Sequence, residues 1–312
     1  MEEALSVQTV HTPRQSVEPR QVPQALGTIW RDCCAAEPTG NVSRALIANF
    51  LVIGDTQREP ELRQVLDRIV SRVPCRAFLI TLAETQPSIQ ATVSGAARVY
   101  GKSRDLVLEQ VDLQAPHGSF DQLAGLVRPL LVNDLPTHLY WATDWPADPR
   151  PFDLFTVMAE HTIVDSARFL APAAHLDAVQ RRRERGRSIS DLSWLRLRPW
   201  RRALAEAFER LPWKPSQSTE VLIRCRESGT AAAALFGRWV EQKLAARVQV
   251  EHSGGPEQVE VRHNGCSIEL NLTQHGQVQV CVTTADSCYL PFHIPASRGT
   301  EASLLAAAID LA

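Results

Sequence analysis

Net charge is the first thing this chain lacks. Its 312 residues carry 33 basic and 35 acidic side chains, which leaves −2 at pH 7 with histidine neutral. A general attraction to nucleic acid or to an anionic membrane is therefore excluded, and any electrostatic function has to be local. Long apolar runs are missing as well. The longest, "ALIANFLVIG", is far short of the roughly 20 residues a membrane-spanning helix needs. The opening "MEEALSVQTV" is acidic and has no apolar h-region, so no secretory signal is expected and a cytoplasmic location is. Cysteine is present without pattern. The seven residues Cys33, Cys34, Cys75, Cys225, Cys266, Cys281 and Cys288 are odd in number and never spaced C-x-x-C, which excludes a secreted disulfide framework and a zinc ribbon.

Catalytic signatures are equally scarce. The turn after Ile53, "GDTQREP", offers one glycine where a dinucleotide fold needs G-x-G-x-x-G, and no Walker A, G-x-S-x-G, H-E-x-x-H or EF-hand loop occurs. The nine histidines are scattered without metal-ligand spacing. No cofactor and no metal is expected from the sequence.

What is present is a layered α/β pattern. Residues 1–40 read as a polar, proline-punctuated, extended or mobile arm ending in a short helix near Ile29. "ALIANFLVIG" reads as a buried strand, and "PELRQVLDRIVSRV" as a helix whose Leu62, Val65, Leu66, Ile69 and Val73 share one face. "CRAFLITLA" completes a β-α-β unit with a parallel strand pair. "SIQATVSGAARV" and "DLVLEQVDL" alternate as partly exposed strands. "FDQLAGLVRPLLV", "THLYWAT", "PFDLFTVMAEH" and "TIVDSARF" continue as helix, strand, helix and strand. Residues 41–211 are thus expected to form an α/β layered domain with a mixed sheet. "PWKPSQS" is the expected hinge. Residues 212–312 read as a smaller α+β domain with an antiparallel meander, in which Asn264-Gly265 signals a type I′ turn and His275-Gly276 a second turn. Counting back from these turns sets Cys281 across from Leu270 and Cys266 across from His263, so no disulfide is expected within that sheet.

Four groups of residues attract attention. Gly54 and Asp55 end a strand, and Asp165 and Ser166 end another, positions where an α/β fold binds ligands or, more commonly, caps a turn. The vicinal Cys33 and Cys34 are the thiols most suited to redox chemistry. The stretch "ISDLSWLRLRPWRRALAEAFERL" sets Trp194, Arg196, Trp200, Arg201 and Arg202 ahead of an amphipathic helix expected to start at Pro199 and run to about Arg210, with Trp194 and Arg196 in a non-helical lead-in. Tryptophan and arginine are the types enriched at binding hot spots, so these five are the expected partner-binding residues. The basic run "QRRRERGR" reads as a solvated loop or helix end.

The segment "DLSWLRLRPWRRALAEAFERL" is similar to the signature D-L-S-W-x-R-L-x-x-W-R of the OpcA-type glucose-6-phosphate dehydrogenase assembly proteins, and "RVPCRAFLI", "LVNDLPTHLYWATD" and "HTIVDSARF" resemble that family's segments in the same order. The likeness covers residues 41–211 well and the C-terminal part only by architecture. This chain has Tyr140-Trp141 where the family often has two tryptophans, and of its cysteines only Cys75 falls in a family motif. The resemblance implies a non-catalytic assembly factor or allosteric activator that binds glucose-6-phosphate dehydrogenase in the oxidative pentose phosphate pathway. It also implies redox control in cyanobacterial members, and with it a thioredoxin-type partner. Two other classes stay open on the residues alone: a sugar-phosphate-binding α/β enzyme or sensor using Gly54, Asp55, Asp165 and Ser166, and a thiol-switch adaptor.

Overall fold

A computed structural model of the chain describes residues 8–35, 42–100, 103–211, 219–296 and 299–310. The elements in chain order are β1 (Gln8–His11), β2 (Gln15–Val17), α1 (Val22–Ala35), β3 (Val42–Arg44), β4 (Ala48–Asp55), α2 (Glu59–Val70), β5 (Cys75–Ala83), β6 (Gln90–Tyr100), β7 (Ser103–Pro116), α3 (Phe120–Val127), β8 (Thr137–Trp141), α4 (Arg150–Thr156) and β9 (His161–Val164). They continue with α5 (Pro172–Glu184), β10 (Ile189–Asp191), α6 (Leu192–Arg196), α7 (Arg198–Phe208), β11 (Glu220–Cys225), α8 (Thr230–Leu244), β12 (Arg247–His252), β13 (Gln258–His263), β14 (Cys266–Leu272), β15 (Gln277–Thr283), β16 (Phe292–Pro295) and α9 (Glu301–Ile309). Two compact units result. The first comprises residues 1–164 with Arg187–Ile189 and 305–312, and the second comprises Asp165–Gly186 with Ser190–Leu304. The expected hinge "PWKPSQS" lies at 212–218, outside the described residues.

The first unit is built on a mixed sheet. Strands β7, β5, β4, β8 and β9 run parallel, and β6 joins β7 antiparallel. The β4-α2-β5 unit forms with Leu62, Val65, Leu66 and Ile69 buried on one face of α2 as expected, but the helix ends at Val70, which is buried with them, and Val73 lies beyond it. The N-terminal arm is extended in β1 and β2, which pair antiparallel with β6. Two expectations need correction here. The helix is not short: it begins at Val22, since Val22, Ala25, Leu26 and Ile29 recur at helical spacing and are all buried. The strand expected to be partly exposed, β7, is buried over residues 106–113. It is central in the sheet, between β5 and β6, and helix α1 packs on it.

The second unit carries a six-stranded sheet in the order β12-β11-β13-β14-β15-β16, parallel only between β11 and β12. Helices α7 and α8 pack on it, and alternate residues such as Val221, Ile223, Val259, Val261, Ile268, Leu270, Val278 and Val280 form the core beneath them. Asn264 (φ 45°) and Gly265 (φ 78°) are both left-handed, as a type I′ turn requires. The next turn is one residue longer than expected: Thr273 N–H donates to the Gln277 carbonyl at 2.8 Å, with Gly276 left-handed at φ 67°. This three-residue loop shifts the register by one, so Cys281 faces Glu269 rather than Leu270, while Cys266 does face His263.

Candidate functional site

The second unit opens with two short turns that lock each other. Asp165, the residue after β9, caps a 3-10 turn over Ser166–Arg168 by accepting from Ala167 N–H at 3.3 Å. Asp191 caps α6 by accepting from Ser193 N–H at 2.9 Å, and the same oxygen accepts from Ser166 N–H at 3.2 Å. Ser193 answers in kind. Its hydroxyl accepts from Ala167 N–H at 3.1 Å and donates to Asp165 Oδ1 at 3.3 Å.

Arg196, one turn after Ser193, closes the cluster with a two-pronged contact, its Nη1 and Nη2 lying 2.6 and 2.9 Å from the two Asp165 oxygens. Arg168 adds a second cation 3.6 Å from Asp165 and donates to Glu301 at 3.1 Å. Burial by itself would raise the Asp165 pKa, but the Arg196 hydrogen bonds and charge, with Arg168 behind them, hold it below the ordinary carboxylate value. Asp191 shows the opposite balance. It is fully enclosed, and desolvation pushes it up to about 6 despite its hydrogen bonds from Ser166 and Ser193. The segments "VDSAR" and "DLSWLR", distant in sequence, thus form one clamp whose polar groups are spent largely on each other.

On the outside of this clamp lies an aromatic and cationic surface. The lead-in expected to be non-helical is itself helix α6, because Asp191 supplies a helix cap. Trp194 on α6 meets Trp239 of α8 edge-on at 6.4 Å, and the Arg201 guanidinium lies 3.8 Å over the Trp194 ring while donating to its carbonyl at 3.3 Å. Arg202 is exposed and pairs with Glu206 one turn along α7 at 2.7 Å. Trp200 points the other way, 8% exposed among Leu197, Ala203 and Leu204 in the unit's core. The sequence pattern does not single out Trp239, one tryptophan within α8, or Arg198 at the start of α7.

The remaining candidates sit elsewhere in the first unit. A Cβ on Gly54 would meet Leu62 Cδ1 at 2.4 Å, so this glycine admits helix α2 to the strand. Asp55 accepts from the Thr143 hydroxyl at 2.7 Å and Arg58 donates to the Ala142 carbonyl at 2.6 Å, tying the strand end to the end of β8. Cys75 is fully buried, and desolvation pushes its thiol up to about 12. Its neighbour Arg76 donates to the buried Glu109 at 2.6 Å. Tyr140, Trp141 and Trp145 are buried in the core, with the Trp145 and Phe152 rings 4.5 Å apart and tilted by 38°. The side chains of Cys33 and Cys34 lie outside what is described.

A cavity of about 210 Å³ adjoins the clamp, lined by Ser193, Arg196, Trp200, Ser228, Gly229 and Glu257 among others. Arg196 in its wall is paired with Asp165. Among the described residues no group of three or more His, Cys, Asp or Glu could hold a metal ion, and no helix is long and apolar enough to cross a membrane.

Two units, one on a mixed sheet and one on a mostly antiparallel sheet, make this a two-domain protein of mixed α and β structure, and comparison with known families gives its family. The chain matches the N-terminal domain of the glucose-6-phosphate dehydrogenase subunit over residues 66–181 and the C-terminal domain of the same subunit over 187–311. It belongs to the OpcA family. Relatives named for OpcA of the OxPP cycle are found in Nostoc punctiforme, 25% identical over 186 residues, and in Synechocystis sp., 26% identical over 185 residues. Each alignment covers 58% of this chain but only 40% and 39% of the relatives, so the chain spans about two fifths of their length. Among solved structures, the 3-ketoreductase KijD10 from Actinomadura kijaniata, in complex with NADP and TDP-benzene, is 10% identical with a TM-score of 0.49, covering 84% of this chain and 89% of that one. A levoglucosan dehydrogenase in its apo form is 10% identical with a TM-score of 0.47, covering 85% and 88%. Likeness at that level carries nothing about the chemistry of this chain.

Proposed function

We propose that this protein is a non-catalytic partner of glucose-6-phosphate dehydrogenase that binds the enzyme and promotes its assembly or activity. The observation that carries this reading is the succession of both domains of one dehydrogenase-subunit family along 66–181 and 187–311. In the clamp, Asp165, Ser193 and Arg196 bond to one another. An effector of this kind works by binding one state of the enzyme more tightly than another, and a coupling of roughly 1–3 kcal/mol changes affinity about 5–150-fold. Trp194, Arg201 and Arg202 supply the docking surface in this reading, while Arg196 and Trp200 hold α6 and α7 in place beneath it. The test is co-purification and steady-state kinetics with the dehydrogenase of the same organism. Binding together with a changed rate or affinity of the enzyme is the expected result. Oxidation of glucose-6-phosphate with NADP by the purified chain alone would overturn it.

A further inference from the structure

The six-stranded sheet of the second unit ends at β12, and its outer edge is bare. Arg247 N–H donates to the Thr219 carbonyl and Ser253 N–H to the Cys225 carbonyl, both at 2.9 Å, and the parallel pairing with β11 runs unbroken from Arg247 to His252. Backbone groups alternate along a strand, so Arg247, Gln249, Glu251 and Ser253 bond to β11 while the N–H and C=O of Val248, Val250 and His252 point away from the sheet. Among the described residues no strand pairs with that side. Edge strands are normally guarded by proline, lysine or a bulge. The strand "RVQVEH" has none of these, and its Val250 is 40% exposed.

This edge complements itself. Two antiparallel copies can exchange hydrogen bonds only in registers that set the outward residues Val248, Val250 and His252 against one another. With Gln249 opposite Gln249, Val248 faces Val250 and Arg247 faces Glu251, each pair occurring twice about the two-fold axis. Both valines lie on the face where α8 packs, because a Cβ on Gly237 would sit 3.2 Å from Val248 Cγ1, and Arg247, Gln249 and Glu251 lie on the other face. The neighbouring register, with Val250 opposite Val250, sets Gln249 against Glu251 and Val248 against His252 and matches no opposite charges. We infer that β12 is a dimer interface, which pairs antiparallel with β12 of a second copy of this chain and places Gln249 on the two-fold axis. The interface hides Val250 from water and satisfies the outward backbone groups of both valines. It does not depend on the dehydrogenase being a partner.

Sedimentation velocity of the full chain over a concentration series tests this. A reversible dimer of twice the 34.6 kDa chain mass is expected. Val250→Pro removes an outward N–H and leaves the N–H groups that bond to β11 in place, so it should weaken the dimer by about tenfold or more with an unchanged melting temperature. Arg247→Glu, at an exposed position, sets a carboxylate against Glu251 of the other copy and should weaken the dimer about tenfold, and it decides the matter if the proline variant does not fold. Under mild oxidation Gln249→Cys should crosslink chain to chain faster than Val250→Cys, because facing residues outside the hydrogen-bonded pairs approach to about 4.5 Å. A monomer at every concentration, or a dimer that a folded Val250→Pro or Arg247→Glu leaves undiminished, would overturn the interface. Faster crosslinking of Val250→Cys than of Gln249→Cys would overturn the charge-matched register.

Discussion

Arg196→Met is the substitution that asks most of the clamp. Asp165 is 2% exposed and receives from Arg196 two charge-assisted hydrogen bonds of 2.6 and 2.9 Å. Methionine keeps much of the side-chain volume and removes both, leaving a buried carboxylate with Ala167 N–H and the Ser193 hydroxyl at 3.3 Å and Arg168 at 3.6 Å. Breaking one side of a buried ion pair costs about 3–5 kcal/mol. Arg196 is about a quarter exposed and Arg168 stays in reach, so the lower end, about 3 kcal/mol, is expected. In a unit of this size that lowers the melting temperature by about 10 °C. The sign of the pH dependence follows from the lowered Asp165 pKa: the pair's contribution is full above the unfolded carboxyl value near 4 and is lost as pH falls through the folded value. The variant's deficit should therefore shrink in acid. Chemical denaturation followed by tryptophan fluorescence reports the transition, and Asp165→Asn combined with Arg196→Met should recover part of the loss because it removes the stranded charge. A cost under about 1 kcal/mol at pH 7, or a double variant no better than Arg196→Met, would refute the idea that this pair holds the two turns together.

Other perturbations follow from the same geometry. Asp191 has its pKa raised to about 6 by burial, so the native state binds more protons than the unfolded one between about 4 and 6 and stability falls as pH rises through that window; Asp191→Asn should flatten this slope in denaturation curves at several pH values. His161 in the first unit runs the other way. Desolvation, and then the neighbouring His138, lower it to about 4, so stability is full above about 6.5 and is lost as pH falls towards 4, a swing of about 3 kcal/mol that His161→Gln should remove. Gly54→Ala should cost about 1–3 kcal/mol by driving Leu62 off the strand, read as a lower denaturation midpoint. Ellman's reagent under native conditions should modify the exposed Cys288 well before the buried Cys75, whose labelling should wait for unfolding.

Local pattern was enough for much of this fold. The β4-α2-β5 unit was legible because its apolar residues recur at periods that only one backbone conformation can bury, and the Asn264-Gly265 turn because few other residue pairs tolerate two left-handed conformations. The aromatic and cationic character of 189–211, and its likeness to one family, also came from the residues alone. What tertiary structure decided was the assignment of partners. Nothing local to Asp165 or Arg196 says that they meet across 31 residues, or that Asp191 would cap a helix and brace a distant turn at once. Trp194 and Trp200 look alike in the sequence, yet one stacks under Arg201 and the other is buried in the core, because α6 and α7 turn them to different neighbours. One extra residue in the turn at Gly276 moved Cys281 from Leu270 to Glu269. Periodicity fixes which side of an element is apolar, since that depends on the chain's own geometry; which charged or aromatic groups then face each other depends on where other elements come to rest, and only the packed core determines that.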